Sequence, residues 1–327
     1  MTFQRKLAIS PISLHVVSAI LIVVWIAVPD VAVSDVDTPQ GLSVLLPDIV
    51  LSHGFLNTAL GAGMAAAVVY ILRELNMSQI LLRLNSRAIS IVYAALMSMA
   101  LPLHSLHPGM AAMLCVLVSY FSLFSSYQVD SSANLIYVSF LCLGLSILVS
   151  PMLVWMTPVY WLSMYLLRSG NVRSVIASVL GLITPLWLVG SIAFCTDHTY
   201  IFTNLLADMA RFEWSGYSLH TPAETVTVWF SFVVFIIAFV DFYMRINLDK
   251  TRVRVIYSVA AIHGFMLYLL ILLQPLQLHY LLPAAMMPTA ILGGHYVAND
   301  PTTQSNVVCI LLTVLLIVNI IVCAWIL

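Results

Sequence analysis

Eleven apolar runs, each about 16 to 24 residues long, follow one another with little between them. They lie near 11–28, 49–72, 88–103, 108–126, 133–149, 152–167, 174–195, 225–244, 255–273, 280–296 and 306–327. In lipid every backbone N–H and C=O has to be satisfied within the spanning segment, so about 20 apolar residues cross a hydrocarbon core of about 30 Å as a helix. The expected fold is therefore all-α, a polytopic integral membrane protein of about 11 transmembrane helices. Only 8% of the 327 residues are charged, against about 25% in a soluble domain, so residues 1–327 read as a single transmembrane domain. The net charge is −1, and basic residues occur in ones and twos. Nucleic acid is thereby excluded as a partner, since it needs many phosphates neutralised together.

Threading the runs alternately through a bilayer fixes an orientation. With Arg5 and Lys6 in the cytoplasm, Arg73, Arg83, Arg87, Arg168, Arg173, Arg245, Lys250, Arg252 and Arg254 follow them there, and of the 12 basic residues only Arg211 falls outside. That asymmetry is the one the positive-inside rule describes. It places the N-terminus in the cytoplasm and the C-terminus outside, most simply across a bacterial inner membrane. Arg5 and Lys6 before an apolar run also have the form of a signal peptide, but with so many spans behind it the run 11–28 is read as a retained first helix.

Two connections are long enough to carry structure. Residues 74–86 repeat Met77, Ile80, Leu81 and Leu84 at helical spacing, which predicts a helix lying on the inner surface. The outer loop 196–225 puts Ile201, Phe202, Leu205, Leu206, Met209 and Phe212 on one helical face, with Asn204, Asp208 and Arg211 opposite. An interfacial helix is expected there, with Trp214 and Tyr217 in the aromatic belt beyond it.

The outer face holds most of the reactive side chains. Its first connection carries Asp30, Asp35 and Asp37 with Asp48 further on and no basic residue among them, so Asp35 and Asp37 could share a divalent cation (Mg or Mn) while a neighbouring carboxylate serves as general base. A solvated acidic loop without a role fits the same residues. His104 and His107 bracket the tight outer turn 103–108, and His53, His198, His220 and His279 share that side, six of the nine histidines. Each could ligate a metal, carry a proton, bond a phosphate or simply be a satisfied interfacial side chain. Within the spans, His15, His263 and His295 sit in apolar surroundings, and Asp241 precedes Arg245 by four residues, the spacing of an ion pair on one helix face. No chain of intramembrane charges appears, which disfavours a proton-coupled carrier.

Gly61 to Ala66 give the second span a small-residue face for close packing. No Walker motif, His-Glu-x-x-His or Gly-x-Ser-x-Gly occurs. Of the five cysteines, only Cys195 reaches an outer edge, so no disulfide framework is available.

Between 84 and 189 the chain runs as short apolar segments joined by tight turns: one at 104–108, a polar break at 128–132, then Ser150-Pro151 and an aromatic-proline stretch ending at Arg168. Later come His279, Tyr280, Leu281, Leu282, Pro283 and then Pro288, Thr289, Ala290, Ile291, Leu292. This pattern resembles the C-type glycosyltransferases, multi-pass enzymes that take a sugar from a polyprenyl-phosphate carrier on the extracytoplasmic face. His279 stands where that family's late motif has arginine, and His107 where it often has an acidic residue. The resemblance implies an essential carboxylate in the first outer connection, at Asp30, Asp35 or Asp37. The whole chain also resembles a bacterial multi-pass membrane protein family of unassigned activity.

The expectation is thus a glycosyltransferase-like membrane protein, catalytically active or degenerate. Asp35 or Asp37 would be base or metal ligand, Arg211 and His279 would hold the departing phosphate, and Tyr280, His104 and His107 would also bind substrate. Its partners would be membrane lipids, the polyprenyl-phosphate-sugar donor and other membrane proteins. The alternatives are a non-enzymatic membrane subunit of a larger complex and, third, a small-solute transporter. A lateral groove opening at the outer face favours the enzyme, a filled outer face the subunit, and a polar cavity at mid-membrane the transporter.

Overall fold

The computed structural model describes residues 10, 12–27, 54–82, 87–100, 103–104, 106–210, 222–299 and 303–326. They form 12 α-helices and no strand. In chain order these are α1 (Ser13–Ala27), α2 (Gly54–Gln79), α3 (Ala88–Met99), α4 (Pro108–Ser125), α5 (Ala133–Val149), α6 (Thr157–Leu166), α7 (Val172–Cys195), α8 (Thr199–Ala210), α9 (Pro222–Arg245), α10 (Thr251–Leu273), α11 (Leu278–Ala298) and α12 (Thr303–Ile326). Seven helices are long and apolar enough to cross a membrane, and α1, α3 and α5 are shorter apolar helices. A 3-10 turn, Pro151–Met156, leads into α6. The chain is a multi-pass helical membrane protein.

Starts and stops follow local chemistry. Pro108 opens α4, where a missing N–H costs nothing, and His107 Nδ1 accepts from Gly109 N at 3.1 Å as its cap. Asn171 Oδ1 caps α7 by accepting from Ser174 N at 2.8 Å. Ile80, at φ 52°, ends α2 in the left-handed region. That conformation suits glycine and strains a β-branched side chain.

The residues expected to form a separate surface helix at 74–86 begin as the last turns of α2, which continues through Glu74 to Gln79. A polar doublet such as Arg73-Glu74 marks a membrane edge but supplies no breaker, so the helix runs on past it. In the outer loop the expected helix is present as α8, with Leu205 buried and Phe202 against Gly190 of α7. Leu206, assigned to the same apolar face, is exposed.

Central to the bundle is α11, whose span is 94% buried, and α3, α4, α9 and α10 pack around it. By contrast α7 and α12 keep only 17% of their spans buried and face outward. Between apolar helices in lipid, close backbone approach and hydrogen bonds replace the hydrophobic drive. At Gly181 a Cβ would lie 2.5 Å from Tyr137 O, so only glycine lets α7 lie against α5.

Polar contacts pin the core. Ser132 and Ser174 hydroxyls meet at 2.9 Å, and Ser119 Oγ donates to Tyr160 at 3.0 Å. His263, expected in apolar surroundings, lies among hydroxyls instead: Ser163 at 2.9 Å on Nε2 and Tyr120 at 3.0 Å on Nδ1 tie α10 to α6 and α4. His295 likewise has a partner, Asp249 at 2.8 Å. The expected Asp241–Arg245 pair is present at 2.9 Å. At this basic end of the bundle Arg252 donates to Gln79 Oε1 (2.8 Å), and Gln79 Nε2 donates to Ser125 Oγ (2.9 Å).

Candidate functional site

At the opposite end three helix starts converge. The first turn of α4 crosses the first turn of α11 so closely that a Cβ on Gly109 would lie 2.4 Å from His279 O and 2.8 Å from Tyr280 Cα. Part of the reason is Pro283, which has no N–H to return to the carbonyl of His279 four residues earlier. That oxygen is therefore open to the Gly109 Cα–H, a weak contact that recurs where helices touch.

This crossing brings predicted residues together. The ring of His107 stands edge-on to Tyr280, centroids 4.5 Å apart, and 5.8 Å from the ring of His279. His279 Nε2 lies 3.0 Å from Glu224 Oε1, both side chains buried, at 4% and 2% exposure. The contact joins the starts of α9 and α11, and it is an ion pair when His279 is protonated. Glu224 occupies the first turn of α9, where the helix dipole favours a negative charge. Nearby, Gln277 is 3% exposed, and its Oε1 has no donor among the described residues.

His104 belongs elsewhere. It stacks on Trp25 of α1 with centroids 4.7 Å apart, and Trp25 Nε1 donates to Met97 O. Burial pushes its imidazole down to about 3, opposed by the nearby Ser98 and Met97 carbonyls. It is a neutral packing residue of the α3–α4 turn. Asp30, Asp35, Asp37 and Arg211 lie outside the described residues, and with them the candidate cation site. Among the described residues no group of three or more His, Cys, Asp or Glu side chains could hold a metal ion.

A lateral groove of about 320 Å³ runs between α9 and α10 toward this site, walled by Val228, Trp229, Phe265 and Leu269 and headed by Thr225 and Leu278. Thr225 and Leu278 are the sequence neighbours of Glu224 and His279, so the groove ends beside that buried pair. Such a trough has the shape and apolar lining to hold a long apolar chain.

The sequence does not single out Glu224, because the apolar run there starts at 225. Pro222 was the available signal, since proline favours the first position of a helix and so draws Glu224 into its first turn. No family model, curated protein or solved structure matches the chain.

Proposed function

We propose that the protein works on a lipid-borne phosphosugar at the membrane face opposite its basic end, in the manner of the C-type glycosyltransferases. The carrying observation is the buried Glu224–His279 pair at the head of an apolar groove open to the lipid side. In this reading α1 to α7 and α9 to α12 make eleven crossings, α8 lies in the interface, and the basic end faces the cytoplasm of a bacterial inner membrane. The alternation of basic and histidine-bearing helix ends supports that orientation.

A polyprenyl chain enters sideways between α9 and α10, and its phosphate halts beside His279. The acceptor hydroxyl attacks the anomeric carbon of the sugar and the bond from that carbon to the phosphate oxygen breaks. The hydroxyl proton passes to a carboxylate, and the phosphate leaves on the carrier. In this reading Glu224 takes the proton, with Asp35 and Asp37 as the candidates of the first outer connection. His279 in its charged form, with Arg211, offsets the charge that gathers on the leaving phosphate. A divalent cation, where one is used, falls to Asp35 and Asp37.

The test uses a radiolabelled polyprenyl-phosphate hexose and a photoactivatable polyprenyl phosphate. Glu224→Gln keeps the size of the side chain and removes the base, so transfer should fall about 10²- to 10⁴-fold while cross-linking to α9 and α10 persists. Leu269→Trp, which fills the groove, should lose both. Undiminished transfer in Glu224→Gln would remove the base, and absence of cross-linking in the wild type would remove the lipid-phosphate reading and favour the subunit.

A further inference from the structure

Of the side chains that meet at the crossing, Glu224, His279 and Tyr280 are buried, while His107 is half-buried. A ligand reaching the crossing therefore meets the His107 ring before the buried pair. The turn that carries this ring is pinned. Asn57 Oδ1 accepts from Leu106 N at 2.9 Å, and His107 O accepts from Met110 N at 2.9 Å.

The helix cap also decides where this imidazole carries its proton. His107 Nδ1 accepts from Gly109 N at 3.1 Å, and a backbone N–H can only donate. Nδ1 therefore bears no proton, and the single proton of the neutral ring sits on Nε2. A second proton would have to go on Nδ1, facing the Gly109 N–H and the positive end of the 18-residue α4, and would break the cap. His279 has the opposite surroundings, with Glu224 Oε1 3.0 Å from its Nε2. Two imidazoles with centroids 5.8 Å apart are thus set differently: one is held neutral as a hydrogen-bond donor, and the other faces a carboxylate that favours its charge.

We propose that His107 is the neutral hydrogen-bond donor that orients the carrier phosphate, its Nε2–H donating to a phosphate oxygen while His279 supplies the charge. This rests on the lipid-phosphate reading above and adds a residue to it. A neutral donor holds the anion without competing with His279 for Glu224. It keeps its proton throughout, so it serves the sugar-bearing carrier and the released carrier alike.

The experiment compares two substitutions in the full chain in detergent, each read by its midpoint of unfolding in SDS and by its affinity for polyprenyl monophosphate. His107→Asn places Oδ1 where the ring has Nδ1, so it keeps the cap and has no atom at the Nε2 position; His107→Ala loses both. The asparagine variant should unfold with the wild type yet bind polyprenyl monophosphate about tenfold more weakly, the effect of losing one hydrogen bond to a charged group. The alanine variant should lose stability as well. Histidine-selective nitrogen NMR of the wild type, with His107 assigned by its absence from the asparagine variant, should show a protonated Nε2 and an unprotonated Nδ1, and the Nε2–H should shift when the lipid is added. Wild-type affinity in His107→Asn, or a proton on Nδ1, overturns the proposal. A wild type that binds no polyprenyl monophosphate overturns the carrier-lipid reading and the donor role together, whereas bound lipid that leaves the Nε2–H unshifted overturns the role alone.

Discussion

Substituting Gly109 by alanine tests the crossing on which the candidate site is built. The added Cβ would lie 2.4 Å from His279 O and 2.8 Å from Tyr280 Cα, both backbone atoms, whereas ordinary contact begins at 3.4 Å. No rotamer change relieves this, so α4 and α11 have to part by about 1 Å. Overpacking of a tight core costs about 1–3 kcal/mol, and the alanine recovers less than about 1 kcal/mol of helix propensity. A net loss of about 2 kcal/mol is expected, read from the midpoint of unfolding by SDS in mixed micelles. Gly63→Ala is the matched control: a Cβ there meets nothing within 4 Å, so propensity alone acts and stability should rise by up to about 1 kcal/mol. Because the displaced turn carries His107 and abuts His279, Gly109→Ala should also weaken photo-cross-linking of the carrier lipid. A variant as stable as Gly63→Ala would show that the two helices do not touch at Gly109, and the site as described would fall with that contact.

Two further outcomes follow from local features. Ile80→Gly should stabilise the chain by about 1 kcal/mol in the same assay, since the left-handed φ of 52° favours glycine and the side chain is 67% exposed; Ile80→Ala, still strained there, should give little. His104 titrates to about 3 in the fold, against 6.5 ordinarily, so the unfolded chain takes up its proton first as pH falls. Stability is therefore intact above pH 6.5 and declines toward pH 3, by at most about 1.4 kcal/mol per pH unit from this group. His104→Phe, which can keep the stack on Trp25, should show a shallower acid limb than wild type, and identical limbs would refute the assignment.

The membrane fold was legible because lipid leaves the backbone few choices. The run at 133–149 coincides with α5, since Ser132 and Ser150 bound it on both sides and nothing charged interrupts it. The end of α2 was not, because a charged doublet marks water without marking a helix stop. At the site, His107, His279 and Tyr280, read from the sequence as outer-face residues that bind substrate, pack against one another. His104, three residues from His107, does not join them, since the turn aims its ring at α1, and hydropathy carries no signal for the direction of a side chain in a turn. The hydroxyl cage of His263 draws on residues up to 143 positions away and is a product of packing that no local pattern announces.

The position of α11 sets an order of construction. Ribosomes deliver α3, α4, α9 and α10 before the helix they share, so during synthesis these four wait in the bilayer around a vacancy that only Leu278–Ala298 can fill. A chain halted before Leu278 would carry nearly every span yet present to lipid the faces that hold Gly109 and the Tyr268 hydroxyl. It should be cleared by membrane proteases, while the same fragment co-expressed with a separate α11–α12 peptide should persist.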